Sequence, residues 1–382
     1  MDRRTHRVER ARFDTVIVGA GQAGLATGYY LAGQGRDFVM LDRHPRIGET
    51  WRRRWDSLRL FTPAAYDGLP GRPFPLPVDA YPTKDEMADY LEAYAARFVL
   101  PLRLWTVVEH LGRQDIGYML SGEDWCIEAD HVVVATGGFQ RPRIPGFASA
   151  LDPRILQLHS SQYRNPGQLH EGPVLIVGAG NSGAEIAMEL ATTHHATWLS
   201  GRDTGRIPLA LRGGGLRGHL FWWLASHVLT VDRTLGRAVR RRELGRGAPL
   251  VRLRREDLEA AGIRYVPRTV GVRDGRPVLE DGRVIDVANV VWCTGFRPEF
   301  GWIDLPVFGA DGYPVHARGV VEGEPGLYFV GLPFLYWLGS STVGGVGRDA
   351  EYIAHHIAGS RRSEHSRVSR WTRESALERS VA

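Results

Sequence analysis

Sulfur and lysine are both scarce in this chain. Only Cys126 and Cys293 occur in 382 residues, with no C-x-x-C and no Cys/His ligand spacing. This argues against a disulfide scaffold, a zinc site and a dithiol redox pair, and no metal site is expected. Lys84 is the single lysine among 48 basic residues, so positive charge is carried by arginine. Long apolar runs are missing too. The longest away from strand-like segments, Leu220–Val231, falls short of the roughly 20 apolar residues that a bilayer span needs. Residues 1–12 lack the apolar core of a secretory leader, so a cytoplasmic location is the expectation.

Hydrophobic residues make up 43% and charged residues 24%, which rules out wholesale disorder. At roughly 100–200 residues per domain, the length suggests two or three domains. The formal charge of +5 is segregated: residues 1–12 and 359–382 carry +3 each, segment 202–255 carries +10, and the remainder carries −11. Charge gathered in this way gives no ground for a nucleic-acid partner.

Two stretches share one pattern. Phe13-Asp-Thr-Val-Ile-Val-Gly19 is a β-branched run ending on glycine, and Gly19-Ala-Gly21-Gln22-Ala-Gly24 follows it. Leu25–Gly33 then has Leu and Ala at helical spacing, and Asp37–Asp42 is an apolar run closed by an acid. Strand, glycine-rich turn, helix and strand make a βαβ unit. The unit recurs at Val174-Leu-Ile-Val-Gly178-Ala-Gly180-Asn181-Ser182-Gly183, with a helix through Leu190 and a strand Thr197–Ser200. In G-x-G-x-x-G the first glycine permits the tight turn and the second lets the backbone approach a pyrophosphate. The third allows close helix packing, and the phosphates rest on the helix N-terminus.

Between the units, Trp105–Asp130 reads as a strand meander and His131–Gly137 as a buried strand ending in Thr136-Gly137. Gln140–Pro145 reads as a linker, and Val287–Gly295 repeats the strand with Thr294-Gly295 at its end. The chain thus crosses between units near 140–170 and again near 290–300. This predicts an α/β fold of two Rossmann-like dinucleotide-binding domains, the second inserted into the first. The expected boundaries are a basic N-terminal arm (1–12), the first part of the outer domain (13–165), the inserted domain (166–295), the second part of the outer domain (296–358) and a polar C-terminal tail (359–382).

The residue after each second strand discriminates the ligands. Asp42 lies 18 positions after Gly24 and can accept from a ribose diol, which suits FAD or NAD. The same spacing from Gly183 reaches Gly201, flanked by Ser200 and Arg202. With no carboxylate there, and a guanidinium able to pair a 2′-phosphate bidentately, NADPH is favoured over NADH. Asp203, next in the chain, argues the other way. Arg206 is a further candidate for the NADPH phosphates.

Taken in order, these motifs resemble the class B flavoprotein monooxygenases: flavin-containing monooxygenases, YUCCA-type enzymes and Baeyer–Villiger monooxygenases. The likeness runs through most of residues 13–358. It rests on Gly19–Gly24, Gly48-Glu-Thr50-Trp51-Arg52, Trp55-Asp-Ser-Leu-Arg59-Leu and Tyr81-Pro-Thr. Ala135-Thr136-Gly137, Gly178–Gly183, Cys293-Thr294-Gly295-Phe296 and Gly326-Leu-Tyr-Phe-Val-Gly331 continue it. The resemblance implies FAD in the outer domain, held by Gly19, Gly21, Gln22, Gly24, Asp42, Gly48, Thr50, Trp51, Val108, Thr136, Gly137, Gly331 and Gly347. It implies NADPH in the inserted domain, held by Gly178, Gly180, Asn181, Ser182, Gly183, Ser200, Arg202, Thr294 and Gly295.

The family's linker fingerprint, F-x-G-x-x-x-H-x-x-x-(Y/F/W), is only partly met. His159 and Tyr163 fit, but Pro153 and Ile155 stand where Phe and Gly belong. Tyr163 leans towards the flavin-containing or YUCCA type. Phe61-Thr62 replaces the active-site Asn of flavin-containing monooxygenases. The mechanism implied by the family is hydride transfer from NADPH to flavin N5, addition of O2 to give a C4a-hydroperoxyflavin, and transfer of one oxygen to a small organic substrate at nitrogen, sulfur or a carbonyl. The cofactor carries that chemistry. Arg59, Thr62 and His159 are the candidate catalytic side chains, His159 more readily as a linker hydrogen-bonder. An NADPH:acceptor reductase without oxygen insertion is the alternative, and a flavin-binding module without turnover a third. For the basic segment 202–255, the readings are a solvated surface helix, an amphipathic lid and a peripheral membrane contact.

Overall fold

The computed structural model describes residues 9–193, 195–205, 216–246 and 249–360. Its first sheet is built on β1 (Glu9–Val18), which lies between β2 (Phe38–Leu41) and β6 (Trp125–Val134) and pairs in parallel with both. Val16, Ile17 and Val18 are buried, as a strand covered on both faces requires. The sheet continues with β3 (Leu102–Arg103) beside β2, and with β5 (Tyr118–Ser121) and β4 (His110–Arg113) in an antiparallel meander beyond β6. Glu9–Arg12, expected in a polar arm, are instead the first part of β1. They pair with Trp125–Glu128, and Arg12 reaches Glu128 at 3.0 Å and Asp130 at 2.7 Å.

Three helices serve this sheet: α1 (Gln22–Gly33), α2 (Glu49–Arg52) and α3 (Lys84–Arg97). α3 starts on a capping box in which the Thr83 side chain accepts from the Glu86 amide and Glu86 reaches back to the Thr83 amide.

After β7 (Arg141–Pro142) the chain builds a second sheet from β8 (Leu156–His159), β9 (Val174–Val177), β10 (Thr197–Ser200), β11 (Arg264–Val266) and β14 (Asn289–Trp292). Their order is β11-β10-β9-β14-β8, and every pair is parallel. A hairpin of β12 (Thr269–Arg273) and β13 (Arg276–Leu279) lies beside it. The helices here are α4 (Asn181–Ala191), α5 (Leu216–Val228), α6 (Thr234–Arg246) and α7 (Arg255–Ala260). The chain returns through β15 (Phe296–Arg297), which pairs with β7 in an antiparallel ribbon. It then adds β16 (Leu327–Phe329) to β6 and ends in α8 (Gly347–Gly359). All strands of the second sheet thus fall between β6 and β16, so one Rossmann-like unit is inserted into the other. By sheet membership the inserted unit takes in β8, ahead of position 166.

The basic segment is not simply a solvated helix. At the end of α5, the Val231 amide donates to the Tyr336 carbonyl at 2.8 Å, and Thr230 bridges to Trp337. Arg348, in the first turn of α8, donates to the Ser226 carbonyl. The inserted unit therefore reaches across and docks on the last part of the outer one. Leu220, Trp223, Leu224 and Leu235 stay exposed. Arg206 lies outside the described residues, as do residues 1–8 and 361–382.

Both glycine-rich turns are closed by their third glycine. A Cβ on Gly24 would stand 1.9 Å from the Gly19 carbonyl oxygen, and one on Gly183 would stand 1.9 Å from that of Gly178. Gly24→Ala and Gly183→Ala should each force the helix off its turn and cost about 3 kcal/mol or more. A melting temperature within a degree of wild type for either variant would contradict this packing.

Candidate active site between the two sheets

The N-termini of α1 and α4 line the same cavity of about 620 Å³. Gly21, Gln22 and Ala23 reach it from the first unit, and Asn181, Ser182 and Glu185 from the second. Helix N-termini present free amides and the positive end of the helix dipole, so each is suited to a phosphate. Cβ positions on Gly21 and Gly180 meet nothing within 4 Å, which leaves room for a group to approach each backbone.

Asp42, at the end of β2, lies beside the first turn. It accepts from the Ala20 amide at 2.8 Å and the His44 amide at 2.9 Å, and the His44 ring Nδ1 lies 2.9 Å away. Burial pushes this carboxyl up, but donation from His44 and Ala20 outweighs burial and holds it below the usual carboxylate range. An ionised acceptor at this point suits a diol. Two cavity-lining polar atoms, Thr136 Oγ1 and Trp55 Nε1, are buried without a partner among the described residues. Orphaned atoms of this kind fit a polar ligand that completes them. The donor set, the open glycine faces and these atoms all fit a dinucleotide flavin.

Most residues expected from the sequence meet here. Gly19, Gly48, Thr50, Trp51, Arg59, Thr62, Val108, Gly137 and Gly331 line the cavity with those already named, and Gly295 joins Asn181 and Ser182 from the second unit. Others do not. Gly24, Gly178 and Gly183 are packing positions, since the Cβ of a residue at 178 would lie 2.3 Å from the Cys293 carbonyl. Gly347 does not line the cavity: it packs on Pro70, and Ser341, Thr342 and Val343 face the cavity nearby. Ser200 does not line it either. Its buried hydroxyl is taken up by Pro267 and Thr269, bracing β10 against β12. The Thr294 hydroxyl donates to the Arg143 carbonyl, tying one interdomain crossing to the other. Arg202 is exposed just past β10, and Asp203 caps its own turn through the Gly205 amide.

His159 joins the two crossings. It is fully buried, its Nε2 lies 3.0 Å from the Gly295 carbonyl, and its Nδ1 lies 2.9 Å from Ser161 Oγ. A neutral ring protonated on Nε2 satisfies both contacts, and burial lowers its pKa from the ordinary value. Arg59 donates to the Tyr81 carbonyl and holds the loop there.

Sequence reasoning missed Arg54. In the run Arg52-Arg53-Arg54, Arg52 pairs with Asp89 and Glu92, and Arg53 pairs with Glu49. Arg54 instead lines the cavity against the Phe296 ring, 5.3 Å from its centroid. No carboxylate bonds to it among the described residues, and burial, then the nearby Arg164, lower its pKa. Nothing in a triplet of arginines marks which one turns inward. Glu185 was missed as well. It lies 3.4 Å from Arg252, and burial raises its carboxyl despite that neighbour.

Comparison with known proteins agrees with this geometry. Residues 16–207 match the pyridine nucleotide-disulphide oxidoreductase family. An uncharacterized CzcO-like oxidoreductase of Geobacillus kaustophilus is 41% identical over 90% of this chain and 98% of its own. A probable indole-3-pyruvate monooxygenase of Arabidopsis thaliana, YUCCA3, is 28% identical over 96% of this chain and 89% of its own. Among solved structures, the flavin-containing monooxygenase from Stenotrophomonas maltophilia superposes with a TM-score of 0.75 at 26% identity, covering 91% of this chain and 98% of that one. The chain belongs to the class B flavoprotein monooxygenases. As a member it is a flavin-dependent oxidoreductase that uses a nicotinamide cofactor. Among the described residues, no helix is long and apolar enough to cross a membrane.

Two expectations follow. Gly21→Ala should leave the apoprotein's melting temperature unchanged and weaken flavin binding at least tenfold, or about 1.4 kcal/mol, in a fluorescence titration. His159→Ala should cost about 1–3 kcal/mol of stability through the lost buried hydrogen bonds. Flavin reduction by the nicotinamide should then fall by less than tenfold, whereas a catalytic histidine would give a far larger loss.

Proposed function

We propose that the protein is an NADPH-dependent FAD monooxygenase that inserts one oxygen atom of O2 into a small organic substrate at nitrogen, sulfur or a carbonyl. The observation that carries this reading is the single cavity reached by both dinucleotide-type helix starts. FAD, when bound, supplies electron uptake from NADPH and activation of O2. The protein's part is to bind, orient and exclude water. Asp42 and the Gly19–Gly24 turn would hold the FAD nucleotide, and the Gly180–Ser182 turn the NADPH pyrophosphate. Arg202, exposed past β10, is the residue for the 2′-phosphate.

The cavity also bears on the substrate. Arg54 adds positive charge with no carboxylate bonded to it among the described residues, while Trp55, Phe61 and Phe296 supply apolar and aromatic lining. An organic anion with an apolar body suits that surface, and the relative named for indole-3-pyruvate oxidation acts on one.

Turnover under labelled oxygen tests the reading. The FAD-loaded protein with NADPH and 18O2, offered sulfides, amines, ketones and arylpyruvates, should yield a product carrying one 18O by mass spectrometry. NADPH oxidation that only reduces a carrier, with no labelled product, would assign the protein to the reductases instead. Arg202→Ala should raise KM for NADPH at least tenfold and leave that for NADH within twofold. Equal effects on the two would remove Arg202 from the 2′-phosphate.

A further inference from the structure

Behind the cavity wall lies a carboxyl that the reading above does not use. Thr62 lines the cavity, and its Oγ1 is 2.5 Å from Oδ1 of Asp67, which is fully buried. Asp67 Oδ2 has no hydrogen-bond partner among the described residues. The neighbouring elements bring no counter-charge onto this carboxylate. From α3, the Tyr90 hydroxyl accepts from the Leu69 amide and donates to the Arg72 carbonyl, and the Arg72 guanidinium lies 5.5 Å from the Tyr90 ring centroid. Tyr66, adjacent in the chain, is a neutral phenol whose pKa burial, and then Asp79, push up. Segment 339–347 passes close by at Gly344 and contains no charged or titratable side chain. Among the described residues, no arginine, lysine or histidine bonds to Asp67.

A threonine hydroxyl has one proton to give. If Asp67 is ionised, that proton points at Asp67, and the cavity meets only the lone pairs of Oγ1. If Asp67 is protonated, its own O–H donates to Oγ1, and the Thr62 proton is released towards the cavity. We propose that Asp67 is a positioning residue whose protonation decides whether Thr62 faces the cavity as a hydrogen-bond donor or as an acceptor. Burial pushes the Asp67 carboxyl up to about 7, with the Thr62 hydroxyl pulling the other way, so both forms are populated near neutral pH. Thr62 donates below that pH and accepts above it. The inference rests on the flavin reading only for what Thr62 faces, since the pairing stands without it.

Two readouts on the FAD-loaded protein, neither requiring turnover, test it. Infrared spectra recorded across pH should show the C=O band of a protonated carboxyl that disappears near pH 7. Asp67→Asn should abolish that band, because the amide has no carboxyl proton to gain or lose. Thr62→Val removes the hydroxyl that stabilises the anion, so the inflection should move to higher pH. This variant tests the pairing even if Asp67→Asn fails to fold. The visible spectrum of the bound flavin should shift with the same inflection in wild type and in Thr62→Ser, and should be flat across it in Asp67→Asn and Thr62→Val. A carboxyl band that survives Asp67→Asn overturns the proposal. So does an inflection that Thr62→Val leaves in place, or a flavin shift that ignores both substitutions. If the two titrations behave as stated while no 18O reaches any product, the monooxygenase reading fails and the switch stands.

Discussion

The Gly19 carbonyl oxygen lies 1.9 Å from where a Cβ on Gly24 would stand, and Gly178 and Gly183 repeat that distance in the second sheet. No side chain fits such a gap, so each helix rests directly on the turn that launches it. The seating fixes the direction of the first helical turn, and with it the place of the free amides. Because it occurs twice, and because one unit is inserted in the other, both sets of amides open on one cavity. Asp42, Thr136 and Gly295 then follow as consequences of where the adjacent strands must end.

What aligns the two units is a set of small polar ties. The two crossings pair with each other as β7 and β15, and His159 pins Gly295 at 3.0 Å. The Asp56 amide donates to the Arg164 carbonyl at 2.7 Å, and Asn165 donates to the Asp56 carboxylate at 2.7 Å. Arg252 reaches from the inserted unit to the Arg59 carbonyl at 3.4 Å while facing the Tyr81 ring. Net contributions of about 1 kcal/mol each set an orientation without locking it.

The fold and the cavity-facing backbone were legible because they depend on local rules. A strand that ends on G-x-G-x-x-G and opens a helix leaves few alternatives, and an acid at the end of the next strand has few other uses. Gly347, Ser200 and Thr294 do not line the cavity, and for one shared reason. Each stands at the right spacing from a motif, but its direction is set by a partner distant in sequence: Pro70, Pro267 with Thr269, and Arg143. Arg54 and Asp67 carried no signal at all. Their environment is made by Phe296 and by segment 339–347, which follow more than 200 residues later in the chain.

The near-absence of lysine becomes intelligible at these long-range contacts. Arg318 is stacked between Tyr336 and Tyr352, with its guanidinium carbon 3.9 Å and 4.0 Å from the two ring centroids. Arg54 lies against Phe296 and Arg252 against Tyr81. A planar, weakly hydrated guanidinium can sit on a ring and still direct N–H donors sideways, whereas an ammonium holds its water and has no face to stack. Arg252 does both at once, meeting Tyr81 with its face and Glu185 and the Arg59 carbonyl with its edge. The lone lysine, Lys84, is buried at the start of α3 with its Nζ on Asp85 and the Arg52 carbonyl, contacts that a point charge can satisfy. Part of what looked in composition like a bias towards one residue type is therefore, in the folded chain, a use of flat cations against aromatic rings, at the seam between the two units and within each of them.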